Sequence, residues 1–127
     1  MRRLAFAVAC GVAASWSMAG EAAARDYSGK YKSKITLPNG DVVKANVTIV
    51  KVDGSIYRSE SKYGDFIELS MCFAEEDRLS CGFAPKSGGG YVGFSIYEPD
   101  GSGKLIGKFA ETSTQKLGKE VLTPVGK

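Results

Sequence analysis

The stretch VVKANVTIVK, residues 42–51, alternates side-chain character along its length. Val43, Ala45, Val47 and Ile49 fall on one face and Lys44, Asn46 and Thr48 on the other, the period of two that marks a half-buried antiparallel strand. Residues 66–74 repeat the pattern, with Ile67, Leu69, Met71 and Phe73 on one side and Glu68, Ser70 and Cys72 on the other. Between such runs lie turn residues: Pro38-Asn39-Gly40-Asp41, Asp53-Gly54, Tyr63-Gly64-Asp65, Glu75-Glu76-Asp77, the stretch 85–90, and Pro99-Asp100-Gly101-Ser102-Gly103. That punctuation belongs to consecutive hairpins. It predicts eight strands, near residues 29–37, 42–52, 55–61, 66–74, 78–84, 91–98, 104–111 and 119–124. No segment after residue 24 carries a 3.6-residue apolar stripe, so a helix is limited to a turn or two within 111–119. The fold class that follows is all-β, an antiparallel meander of about eight strands forming a closed or nearly closed small barrel, since closure removes unpaired edges. Such a barrel is only just wide enough for side chains or one small ligand. The Val, Ile, Leu, Met and Phe available suffice to fill it, and a packed interior is expected.

The chain begins Met1-Arg2-Arg3 and continues into a short apolar run through Ala14, too short to span a bilayer and built like a secretory leader. Ala22-Ala23-Ala24 places small residues for cleavage before Arg25, with Ser17-Met18-Ala19 as an earlier alternative. Residues 1–24 are therefore read as a signal peptide and 25–127 as a single barrel-like domain. Cys10 offers a lipoprotein reading, but few apolar residues precede it, so no membrane anchor is expected after cleavage. The expected location is the periplasm or the extracellular space. Losing Arg2, Arg3 and Glu21 lowers the formal charge from +3 to +2. So mild an excess, without a basic stripe interleaved with aromatics, excludes nucleic acid as the implied partner.

Cleavage leaves Cys72 and Cys81 as an even pair in an oxidising compartment, which favours a disulfide over a metal site or a nucleophile. Placing them opposite one another centres a hairpin turn between Glu76 and Asp77, where composition independently puts one. The chain has no histidine, which removes Ser-His and Cys-His nucleophile systems and most zinc sites. Gly101-Ser102-Gly103-Lys104 looks like the tail of a phosphate loop. A P-loop, however, needs glycine where Glu98 stands and a hydroxyl where Leu105 stands. A calcium loop from Asp100 fails at Leu105, which takes the place of the obligatory glycine. Residues 99–103 read as a strand connection. Carboxylates remain as a catalytic route, but Glu75, Glu76 and Asp77 sit together in a polar turn, which reads as a solvated connection. No cofactor is implied. Tyr57, Tyr91, Phe94 and Tyr97 form a candidate binding surface, although aromatics on strands also serve as core or sheet-face packing.

The arrangement of Gly29 and Tyr31, Gly40, Val47 and Ile49, Gly54 and Tyr57, then Gly103, Leu105, Gly107 and Phe109, and finally Gly118, Glu120, Leu122 and Pro124 resembles a family of small secreted proteins of rhizobia-type bacteria. That family is of largely unknown function, and some members are labelled fibronectin-binding. The likeness spans nearly all of residues 25–127. It departs at Phe109, where tryptophan is usual, and in the Cys72/Cys81 hairpin. It implies a protein partner, such as a matrix or envelope protein, met by strand edges or by the loops around Gly88-Gly89-Gly90 and Gly101-Ser102-Gly103. The expected function is that of an exported, monomeric, non-catalytic binding module. The alternatives are a lipocalin-like carrier of a small apolar ligand and, third, a carboxylate-dependent enzyme. Intact mass of the protein from its native host should show loss of residues 1–24; a full-length cytoplasmic product would reject the export reading.

Overall fold

The computed structural model describes residues 25–126, so the expected leader, with Cys10 and Trp16, lies outside the described residues. Eight strands run in order: β1 (Gly29–Thr36), β2 (Val42–Asp53), β3 (Ile56–Tyr63), β4 (Phe66–Glu75), β5 (Arg78–Pro85), β6 (Gly93–Pro99), β7 (Leu105–Glu111) and β8 (Gly118–Pro124). Each pairs antiparallel with the next, and β1 pairs with β8 from Tyr31↔Pro124 to Thr36↔Lys119, closing the barrel. Within 111–119, where the sequence limits a helix to a turn or two, the chain forms a loop with a single turn closed by the Gln115 amide on the Glu111 carbonyl. Glu111 accepts hydrogen bonds there from the Ser113 hydroxyl and the Thr114 amide, which organise the turn without helical repeats.

Cys72 and Cys81 are direct partners across β4 and β5, with Cα atoms 4.0 Å apart, and form the expected disulfide. A loop this short contributes about 2 to 3 kcal/mol on the chain-entropy account. Residues 99–103 are the expected connection. Asp100 accepts from the Ser102 amide and hydroxyl and from the Lys104 amide, while Gly101 and Gly103 take the positive φ values the turn needs.

Inward and outward faces depart from the sequence reading in β4. An apolar strand face is expected to turn inward, but Glu68, Ser70 and Cys72 point into the barrel, while Leu69, Met71 and Phe73 are exposed. Outward-facing Phe94 and Ile96 of β6 and Ile106 of β7 continue this apolar wall. On the opposite side the wall is basic, with Lys30, Lys32 and Lys34 of β1, Lys44 of β2 and Arg58 and Lys62 of β3 in solvent.

The interior is divided lengthwise. One half is packed by Tyr27, Tyr57, Leu79, Leu105 and Leu122 around the disulfide. The segment 25–28 covers that end: the Tyr57 hydroxyl donates to the Arg25 carbonyl, the Tyr27 amide donates to the Tyr57 hydroxyl, and the Tyr31 hydroxyl donates to the Tyr27 carbonyl. In the other half, inward positions of β3 and β4 carry the small side chains of Ser61 and Ser70. These small side chains leave an open cavity, so the expected packed interior holds for only half of the bore. The apolar residues counted on to fill it stand largely on the outer wall.

A repeated device holds the last four strands together. Phe83, Tyr97 and Phe109 each lie over a glycine directly opposite on the following strand: Gly93, Gly107 and Gly118. A Cβ on Gly107 would sit 2.5 Å from the Tyr97 ring, and one on Gly93 would sit 2.5 Å from the Ala110 carbonyl oxygen. Rings stacked on cross-strand glycines both fill the bore and pin the register. Gly107→Ala should therefore lower stability by about 1 to 3 kcal/mol through overpacking. Gly89→Ala, which meets open space, should be near neutral. Denaturant midpoints of the two variants decide this, and equal midpoints would refute the packing account.

Candidate functional site

The open half of the barrel encloses a cavity of ≈ 220 Å³. Inward positions of all eight strands converge on it, because alternate residues of every strand must face the bore. Its floor is Tyr97 and Glu120, the former shared with the packed core. Its walls are mostly aromatic, with Tyr63 and Phe66 on one side, ring centroids 5.8 Å apart, and Phe83, Tyr91 and Phe109 on the other, and the aliphatic Ile35, Leu37 and Val43 complete them. Phe83 meets Tyr91 and Phe109 edge to face, at 6.3 and 6.4 Å.

Two carboxylates organise the polar part. Glu120 is only 8% exposed, and its oxygens accept one hydrogen bond each, from the Ser33 hydroxyl and from the Tyr97 hydroxyl at 2.6 Å. Glu68 bridges the two aromatic walls, accepting from the Tyr63 hydroxyl at 3.1 Å and the Tyr91 hydroxyl at 2.6 Å. Glu111 stands at the rim, where the Ser113 hydroxyl holds its carboxyl below the usual range. No lysine or arginine lines the cavity. Burial raises the Glu120 carboxyl, opposed by its two hydroxyl donors and reinforced by the nearby Glu68. Burial pushes the Tyr97 hydroxyl up as well, with Glu120 adding to the shift. Tyr63 and Tyr91 are raised by burial together with Glu68. All three tyrosines thus remain hydrogen-bond donors to the carboxylates.

The four aromatic residues singled out from the sequence do not share one surface. Tyr91 lines the mouth and Tyr97 the floor, whereas Tyr57 is buried at the opposite end against Tyr27. Phe94 is on the outer wall, 63% exposed. The candidate surface of Tyr57, Tyr91, Phe94 and Tyr97 is therefore corrected to Tyr91 and Tyr97 within the cavity. Glu75, Glu76 and Asp77 lie in the exposed β4–β5 turn beside Arg78, which pairs with Glu98 at 3.5 Å in solvent. Among the described residues no group of three or more acidic or sulfur side chains is placed to hold a metal ion.

Sequence reasoning missed Glu68 and Glu120. In GKEVLTP, residues 118–124, period two groups Glu120 with Gly118 and Leu122, and that company was the available signal of an inward carboxylate. No protein-family model matches this chain, and no curated protein is significantly similar to it.

Because the folded-state value of Glu120 lies above its ordinary 4.5, its contribution to stability is full below that pH. The contribution is lost as pH rises through the folded-state value. Glu120→Gln keeps the shape and removes the ionisation, so the variant should be more stable than the parent at about pH 8, with the gap closing towards about pH 4.5. Denaturant midpoints across that range check it. Parallel profiles would show that Glu120 folds without an ionisation penalty.

Proposed function

We propose that the protein is an exported, non-catalytic binding module that takes a small ligand into the open half of its barrel. The observation that carries this is the ≈ 220 Å³ cavity left beside the small inward Ser61 and Ser70, mostly aromatic on its walls and polar at its floor. That combination of an apolar enclosure with a few placed polar groups is how small-molecule sites are built. An apolar cavity of about 150 Å³ already admits benzene, so a single substituted ring fits here. Export is supported by the disulfide, which an oxidising compartment maintains. The non-catalytic reading is supported by a chain without histidine and by a floor carboxylate, Glu120, whose two oxygens are each engaged by a hydroxyl donor.

A second reading, a protein partner, is favoured by one observation: the exposed apolar wall of Met71, Phe73, Phe94 and Ile96, of a kind that marks interaction sites when contiguous. Strand edges do not serve this purpose, because every described strand is paired on both sides. The loops at residues 86–92 and 100–104 lie at opposite ends of the barrel, as successive hairpin connections must.

Benzyl alcohol, a neutral probe, should shift the backbone amide resonances of Ser61, Ser70, Tyr91 and Glu120 saturably, and Ser70→Leu, which fills the cavity, should abolish the shifts. Shifts confined to Met71, Phe73, Phe94 and Ile96 would replace cavity binding by the outer-wall reading.

A further inference from the structure

We infer that the ligand of this cavity is an organic cation, an ammonium group carried on a compact apolar or aromatic body. The inference rests on the cavity-binding reading above and deepens it.

Charge is the first argument. Glu68, Glu111 and Glu120 line the cavity and no basic residue does. A carboxylate offers about four lone-pair sites, yet Glu120 uses two, both for neutral hydroxyls. Its charge is buried beside no counter-ion, an arrangement that is costly until a cation completes it. Glu68, half-buried, also accepts only from neutral groups, the hydroxyls of Tyr63 and Tyr91. The lysines of the basic wall point to solvent on the outside of the barrel. There they are screened over about 8 Å at physiological ionic strength, whereas contacts inside the bore are screened much less.

The walls are the second argument, and they distinguish an organic cation from a metal ion. Aromatic faces attract ammonium groups, most of all when the site is desolvated, and quaternary ammonium ligands are held in such aromatic cages. Phe83, Tyr91 and Phe109 form one side of such an enclosure, and Tyr63 and Phe66 the other. Glu68 ties the two sides together through both tyrosine hydroxyls, so the rings are held in place before a ligand arrives. A metal ion would need several oxygens converging on one point, and the described residues provide no such group.

The test is a matched series followed by the same amide resonances: phenyltrimethylammonium, its uncharged isostere tert-butylbenzene, and anionic benzenesulfonate. The cation should bind about tenfold or more tighter than the isostere, with shifts at Tyr91 and Glu120. Glu120→Gln and Glu68→Gln should each reduce that preference without preventing uptake of the isostere. If the isostere or the sulfonate binds as well as the cation, the inference is overturned while the cavity reading stands. A preference unchanged in both variants also overturns it, placing the cation at an exposed acidic turn such as that of Glu75, Glu76 and Asp77. If no member of the series and no benzyl alcohol enters the folded protein, both readings fall together.

Discussion

Once β1 pairs with β8, the bore of an eight-stranded barrel has a set cross-section, and each inward position receives a fixed share of it. Large residues at one end use that space completely, as Tyr57, Leu79 and Leu122 do around the disulfide. Ser61 and Ser70 at the other end leave part of it open. The glycines opposite Phe83, Tyr97 and Phe109 belong to the same constraint, since a ring directed across the bore needs a missing Cβ on the facing strand.

How much of this was legible depends on which physical signal each feature leaves in the chain. All eight strands and the Cys72–Cys81 pairing could be read, because turn residues and the period of two are local properties. The direction of each face was not local. Met71 and Phe73 look like core by hydropathy, and only the interior position of Cys72 on the opposite side of β4 settles that they point outward. The same holds in β6, where Phe94 and Ile96 face solvent while Ser95 and Tyr97 face the bore. The cavity was illegible for a related reason. Serine on a strand carries no signal of a cavity, so Ser61 on β3 and Ser70 on β4 look unremarkable until the β3–β4 register sets them near one another inside the bore.

Glu120 sets stability against binding capacity. A buried acid with hydroxyl donors and no basic partner is less favourable to the folded state than a neutral side chain of equal shape. Groups of this kind are found where a site requires them, and strongly perturbed acids in clefts are candidates for function on that ground. The floor position strengthens the case. Glu120 lies where the Tyr97 ring, itself stacked on Gly107, seals the packed half from the open half. The donor that holds the carboxylate is thus positioned by the same contact that fixes the strand register.

The β1–β8 seam also imposes an order in time. The disulfide closes a hairpin nine residues apart in sequence, so its two sulfurs can meet as soon as β4 and β5 are present. β1 acquires its second neighbour only from the last strand of the chain, a long-range contact of the kind that slows folding. Until β8 is available, β1 keeps an unpaired edge. An unfinished chain can therefore be locked covalently in its middle while remaining open at its seam. Synthesis must reach residue 124 before the fold is complete.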